Sequence, residues 1–342
     1  MVLSGIHKAL ILQELDSRLN TSGMTFGLLQ EAHKSKIVRE SPWQEEVFLS
    51  VYVAILKGNQ FYCICKGGTS HLNRNISHIP HPTSHITHLT SLIACLLLLG
   101  GCSKPPEDMV LIPAGEFKMG SDEVDTEAKA LQYGESRPWY ANEKPARNVT
   151  LKAFYIDKHE VTNARYLEFV KATNHRQPEY WQNGAFSPNL DNVPVVMVDW
   201  HDARAYCEWK GKRLPSEAEW EKAARGVDGR RFPWGNEFDI KKTNALGAYN
   251  GLLPVGTLED GKSTYGVYDM AGNVQEWVED WYKPYPGNDF KDKDYGETRK
   301  VVRGGGWGGM GHYSLQVYVR TSFRNTAPPD GRFNDLGFRC AK

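Results

Sequence analysis

The chain from Met109 to Lys342 is predicted to fold as a loop-rich α+β domain with little regular secondary structure. Three observations predict it. Trp, Gly and Asn are concentrated in this part of the sequence, a composition that suits tight turns and bulky aromatic core pieces. The apolar runs are short, as in Val110-Leu111-Ile112 and Pro194–Val198, which is strand length rather than long-helix length. Between them stand separate helix-start signals at Thr162, Asp199 and Ser216. The rest of the domain is organised around Tyr265–Trp281, YGVYDMAGNVQEWVEDW. There Gly266 and Gly272 supply backbone freedom, Asp269 and Glu276 supply hard oxygen atoms, and Trp277 and Trp281 stand at helical spacing.

Taken in order, Val110–Ile112 reads as a strand ended by Pro113 and a turn at Ala114-Gly115. Phe117 and Met119 alternate with polar residues in a second strand. Asp122–Pro145 is acidic, aromatic and irregular, and reads as a long surface loop. Val149–Asp157 reads as one strand. Thr162 caps a helix whose Tyr166, Phe169 and Val170 fall at i, i+3 and i+4. Asp199, with Asp202 three residues on, caps a helix carrying Ala203, Tyr206 and Cys207 on one face and ending at Gly211. Ser216-Glu217-Ala218-Glu219 is a capping box. It opens a helix with Trp220, Ala223 and Ala224 inward and Gly226 as its stop. Phe232-Pro233-Trp234-Gly235 is a tight aromatic turn.

The chain of 342 residues has a formal net charge of zero. With both signs interspersed, no broad nucleic-acid footprint is expected. The six cysteines are Cys63, Cys65, Cys95, Cys102, Cys207 and Cys340. No CxxC pair occurs, which speaks against a zinc ribbon or a thioredoxin-type site. Residues 1–82 carry no coherent pattern. Glu45–Leu56 is open between helix and strand, and His71–Thr90 has the composition of a spacer.

Leu92–Leu99, LIACLLLL, is too short to span a bilayer and has the length of an export-signal core. Its ending, Leu99-Gly100-Gly101-Cys102, resembles a bacterial lipobox. That resemblance implies a signal segment over 83–102, cleavage before Cys102 and lipidation of its thiol. Ser103 rather than Asp implies outer-membrane sorting. A signal belongs near an N-terminus, so the expectation is that residues 1–82 are poorly ordered or not made. Residues 103–108, SKPPED, form a stiff linker to the domain at 109–342.

Gly211-Lys212-Arg213-Leu214-Pro215-Ser216-Glu217-Ala218-Glu219-Trp220-Glu221 resembles the signature of the sulfatase-modifying factor, or formylglycine-generating enzyme, family. IPAGEFKMGS, EVTNARYLEFV, RFPWGN, YGVYDMAGNVQEW, RGGGW and NDLGFRCAK follow in family order. The resemblance implies a variant of the C-type lectin fold with paired terminal strands. It also implies the family's activity, oxidation of a substrate cysteine to formylglycine at two cysteines that bind copper(I). Soft copper(I) requires such thiolates. Here Arg303-Gly304-Gly305-Gly306-Trp307 is followed by no cysteine before Cys340, and Gly306 stands where the family has Ser. No copper and no formylglycine chemistry by that route are therefore expected.

Two further features are implied by the resemblance. One is calcium on Asp269, Gly272, Val274 and Glu276. The family's other calcium loop matches only around Asn244. The second is a disulfide between Cys207 and Cys340. The leading expectation is a lipid-anchored binding or structural module of the bacterial envelope. It would take a peptide, protein or glycan at a cleft lined by Trp277, Trp307, Met310, His312 and Arg324. The alternative is a metal-dependent oxidoreductase with a divergent site at Met310 and His312.

Overall fold

The computed structural model describes residues 53–57, 60–65, 68–69, 106, 108–135, 137–308 and 315–342. It divides into two units, Met1–Leu97 and Leu98–Lys342. In the first, β1 (Val53–Lys57), β2 (Gln60–Cys65) and β3 (Gly68–Thr69) form an antiparallel sheet in that order. The end of the stretch left open between helix and strand is therefore strand. Leu92–Leu99 and Cys102 lie outside the described residues. Among the described residues no helix is long and apolar enough to cross a membrane.

The second unit opens with β4 (Met109–Ile112) and β5 (Gly115–Met119). Val149–Asp157 is not one strand. It belongs to β6 (Arg147–Leu151) and β7 (Phe154–Asp157). β5 pairs with β6 up to Gly115–Leu151, and β4 pairs with β7 from Ile112–Phe154. The break at 152–153 lies opposite the Pro113-Ala114 corner, where proline has no N–H to give a ladder. The final residues close on β7 as well: Tyr155 N–H donates to the Lys342 carbonyl at 2.9 Å and Lys342 N–H to the Tyr155 carbonyl at 2.8 Å.

The loop Asp122–Pro145 carries a short helix, α1 (Lys129–Gln132). It is not wholly a surface loop, because Asn142 and Glu143 are buried. The three main helices start where their caps stand. Thr162 accepts from Arg165 N–H ahead of α2 (Asn163–Thr173). Asp199 and Asp202 form a capping box on α3 (Trp200–Trp209), as Ser216 and Glu219 do on α4 (Glu217–Arg225). Each box satisfies otherwise orphaned N–H donors.

One core cluster joins Tyr166 and Phe169 of α2 to Tyr206 and Cys207 of α3, with Trp277 and Phe338 beneath. A second places Trp220, Ala223 and Ala224 of α4 against Ile112, Ile156, Val278 and Val301. Cys207 is bonded to Cys340 with Cα atoms 5.7 Å apart.

Between the clusters runs a four-stranded sheet in the order β10 (Asn325–Ala327), β9 (Lys300–Arg303), β8 (Gln275–Trp281), β11 (Leu336–Phe338). β8 and β11 are parallel and the other pairs antiparallel. The end of the run Tyr265–Trp281 is thus a strand, not a helix. An i, i+4 pair keeps one face in a regular strand too, so the spacing alone does not discriminate. The register shifts between Trp277 and Trp281. Trp277 enters the core, whereas Trp281 is half-buried and packs with Trp200 on either side of the Lys300 ammonium, 3.9 Å from each ring.

Candidate functional site

The turn before β8 and the C-terminal strand build an acceptor-rich buried centre. Asp269 and Asn273 adopt left-handed backbone conformations, φ 58° and 64°. Gly272 between them is required by close approach. A Cβ there would stand 2.5 Å from both the Asn244 carbonyl oxygen and Thr243 Oγ1. β8 then carries Glu276 to Arg339. Arg339 Nε donates to Oε2 at 2.6 Å and Nη2 to Oε1 at 2.7 Å, while Trp220 Nε1 donates to Oε2 at 2.9 Å. Asp269 Oδ2 accepts from Gly256 N–H at 2.7 Å.

Glu160, the first residue of the EVTN segment, reaches the same centre. Its Oε1 accepts from Asn273 Nδ2 at 3.2 Å, and its buried Oε2 has no partner. Asn244 Oδ1 is likewise buried and unpartnered, although its Nδ2 donates to Asn273 Oδ1 at 3.0 Å. Burial, reinforced by Asp269, pushes Glu160 well above the ordinary carboxylate range, and burial raises Asp269 too.

The four calcium positions implied by the sequence therefore meet a different arrangement. Glu276 is committed to Arg339, and among the described residues no three His, Cys, Asp or Glu side chains stand ready as a metal cage. Three carboxylates face one guanidinium, and two acceptor oxygens are orphaned. A buried acceptor without a donor costs about 1–3 kcal/mol, and a hard cation satisfies such oxygens directly.

The glycine run after β9 lies alongside. Trp307 N–H donates to the Asn273 carbonyl at 3.0 Å, and Gly272 N–H to the Gly304 carbonyl at 2.8 Å. Gly306 is fixed by its neighbour: a Cβ there would stand 2.8 Å from Asp335 Oδ2 and 3.1 Å from Asp335 Cβ. A serine at 306 would displace Asp335. Asp335 Oδ2 accepts from Gln275 Nε2 at 3.2 Å, and Gln275 Oε1 accepts from Asn325 Nδ2 at 2.7 Å. Asp335 thus occupies the space that any side chain at 306 would enter. Met310 and His312 lie outside the described residues. Both cysteines of the domain are consumed by the disulfide.

The expected cleft is corrected. Trp277 is 0% exposed and donates through Nε1 to the Val198 carbonyl at 3.0 Å. Arg324 is 1% exposed. It is held by Glu217 at 2.7 and 2.9 Å and by the Asn142 carbonyl at 2.7 Å. Neither offers a surface to a ligand. Trp307 alone of the described set is half-buried. An aromatic and an arginine in sequence look the same whether they line a groove or fill a core. Arg324 is decided by Glu217, 107 positions away.

The profile of the sulfatase-modifying factor enzyme 1-like domain matches residues 99–342. The chain belongs to the sulfatase-modifying factor family. It is 34% identical over 304 residues to the formylglycine-generating enzyme of Bos taurus, covering 71% of this chain and 76% of that one. It is 33% identical to the inactive C-alpha-formylglycine-generating enzyme 2 of Mus musculus, covering 72% and 88%. Among solved structures, PvdO from Pseudomonas aeruginosa matches with a TM-score of 0.53 and 32% identity, covering 68% and 93%. The fold is the formylglycine-generating-enzyme variant of the C-type lectin-like fold, mixed in helix and strand with little regular structure. From Met109 to Lys342 the sequence supplies no thiol outside the disulfide.

Proposed function

We propose that the domain is a binding or structural module of the bacterial cell envelope, built on the formylglycine-generating shell without its redox sulfur. One observation carries the reading. Cys207 and Cys340 are the only cysteines from Met109 to Lys342, and they are bonded to each other. A copper(I) site that needs two thiolates has none to draw on. Gly306, closed over by Asp335, and the likeness to a relative named as inactive support it. The lipobox-like ending at Cys102 supports a lipid anchor, and the neutral charge supports a peptide, protein or glycan partner over nucleic acid.

The test is copper(I) titration with oxygen consumption on a cysteine peptide. It uses the chain with Cys63, Cys65, Cys95 and Cys102 replaced by serine. The expected result is neither stoichiometric tight copper nor peptide-dependent oxygen uptake. Stoichiometric copper with turnover contradicts the reading.

Calcium belongs to the same proposal. Glu160 and Asp269 would hold it with carbonyls of the turn, among them those of Gly272 and Val274. There it would supply charge balance and rigidity. At a hundredfold excess over Kd, bound calcium contributes about 2.7 kcal/mol, a rise in Tm of about 5–10 °C for a domain of this size. Glu160→Gln is expected to abolish the rise. An unchanged Tm in the wild-type chain after chelation and calcium addition would mean that the carboxylates hold protons instead.

A further inference from the structure

The chain enters the second unit beside a patch that carries an exposed indole. The Asp108 carboxylate pairs with Arg165 in the first turn of α2, and the Asp108 carbonyl accepts from Lys158 N–H at 2.8 Å. Met109 pairs with Asp157 in the β4–β7 ladder, and Asp157 Oδ1 accepts from Lys212 Nζ at 2.5 Å. Lys212 lies just past the end of α3. Along α2, on the same side as Arg165, Glu168 Oε2 accepts from Lys210 Nζ at 3.1 Å. Two separate ties therefore hold residues 209–212 next to the point where the folded domain begins.

Trp209, the last residue of α3, is 37% exposed. One side of its ring is fixed by the core: Phe169 lies 5.5 Å away and Tyr206 5.9 Å away. The Lys210 ammonium stands 4.4 Å from the ring centroid. The cations around it are matched by carboxylates: Arg165 by Asp108, Lys210 by Glu168 and Lys212 by Asp157. A patch so balanced has little to offer a strongly acidic partner. An indole held firmly from behind and rimmed by long amphipathic stems suits a bilayer–water boundary instead. There Trp sits at headgroup level, and Lys and Arg lay their stems on apolar surface while the charged ends reach water.

The length of chain ahead of Asp108 selects the bilayer as the occupant. Cys102 precedes Asp108 by six positions, and six residues reach at most about 20 Å. A domain of the size of residues 109–342 is about 45 Å across. A lipid on Cys102 thus keeps the Asp108 side toward the membrane, because turning the far side inward needs a longer tether. We propose that the face formed by the end of α3 and the adjoining side of α2 rests on the lipid bilayer, with Trp209 seated among the headgroups. The proposal rests on the lipid anchor read from Cys102 and names the surface which that anchor brings to the membrane.

The test uses the native chain extracted from bacterial membranes and reconstituted into vesicles of phosphatidylethanolamine and phosphatidylglycerol. The mass of its N-terminal peptide reads the anchor. Tryptophan emission in vesicles with brominated acyl chains, compared with ordinary ones, reads the face. Quenching is expected in the wild type, and Trp209→Phe, which keeps a ring on Phe169, is expected to lose most of it with Tm unchanged. Lys210→Glu keeps the indole but sets a carboxylate against the lipid phosphates and Glu168, and is expected to reduce the quenching. A lipidated chain that shows no quenching overturns the proposal and leaves the anchor standing. Undiminished quenching in Trp209→Phe does the same, since another tryptophan then faces the bilayer. Absence of lipid on Cys102 overturns the anchor and this proposal together.

Discussion

Replacing Arg324 by alanine is expected to lower stability by about 3 kcal/mol, since it breaks a buried pair and leaves Glu217 with Arg303, at 3.2 Å, as its remaining guanidinium. Its Nε and Nη2 both bind Glu217, and its Nη2 also donates to the Lys283 carbonyl at 3.0 Å. The guanidinium lies 3.9 Å over the Tyr285 ring. Burial alone would push Glu217 up, yet Arg324 and Arg303 hold its carboxyl below the usual range. The sign follows from that depression. The stabilisation is complete above the ordinary glutamate value of 4.5 and is lost as pH falls through the lower folded value. Urea unfolding at neutral pH measures the loss. The double variant Glu217→Gln with Arg324→Met, which removes both charges, is expected to recover part of it. A loss under about 1 kcal/mol in Arg324→Ala, the value of an exposed pair, would mean that the network is open to water.

Removing the disulfide is the second large effect. Cys207 and Cys340 are separated by 133 positions. Closing a loop of that length in the unfolded chain is worth about 4–5 kcal/mol in the chain-entropy model. The double replacement Cys207→Ala with Cys340→Ala is expected to cost at least that much, because the two lost sulfurs leave a small cavity in the core. Equilibrium unfolding of this chain against the wild type checks it. A cost below about 1 kcal/mol would show that the unfolded state is already compact around this pair.

The parts of the fold that were legible in the sequence are those decided locally. A cap acts on N–H groups two or three residues away, so Thr162, Asp199 and Ser216 mark helix starts without reference to the rest of the chain. Gly226, which takes a positive φ of 73°, marks a stop in the same way. β8 is not legible in the sequence because its partners are distant. Trp277 pairs with Val302 and Phe338, and nothing near Trp277 in sequence reports either. The break in Val149–Asp157 is set by Pro113, on the other side of the ladder.

The candidate site divides along the same line. Asp269, Gly272 and Glu276 are visible as a motif. That Arg339 claims Glu276, or that Glu160 enters with an unpaired oxygen, depends on the packing of three distant segments. The loop Asp122–Pro145 reads as exposed because it is acidic and irregular. Its Glu143 is nevertheless buried by Arg320, 177 positions on.

The most direct measurement is mass spectrometry of a cysteine-containing sulfatase peptide after incubation with the purified chain, copper(I) and oxygen. With no thiolate pair in the domain, the peptide is expected to keep its cysteine unchanged. Conversion of that cysteine to the aldehyde, in a preparation free of any other modifying enzyme, would contradict the account.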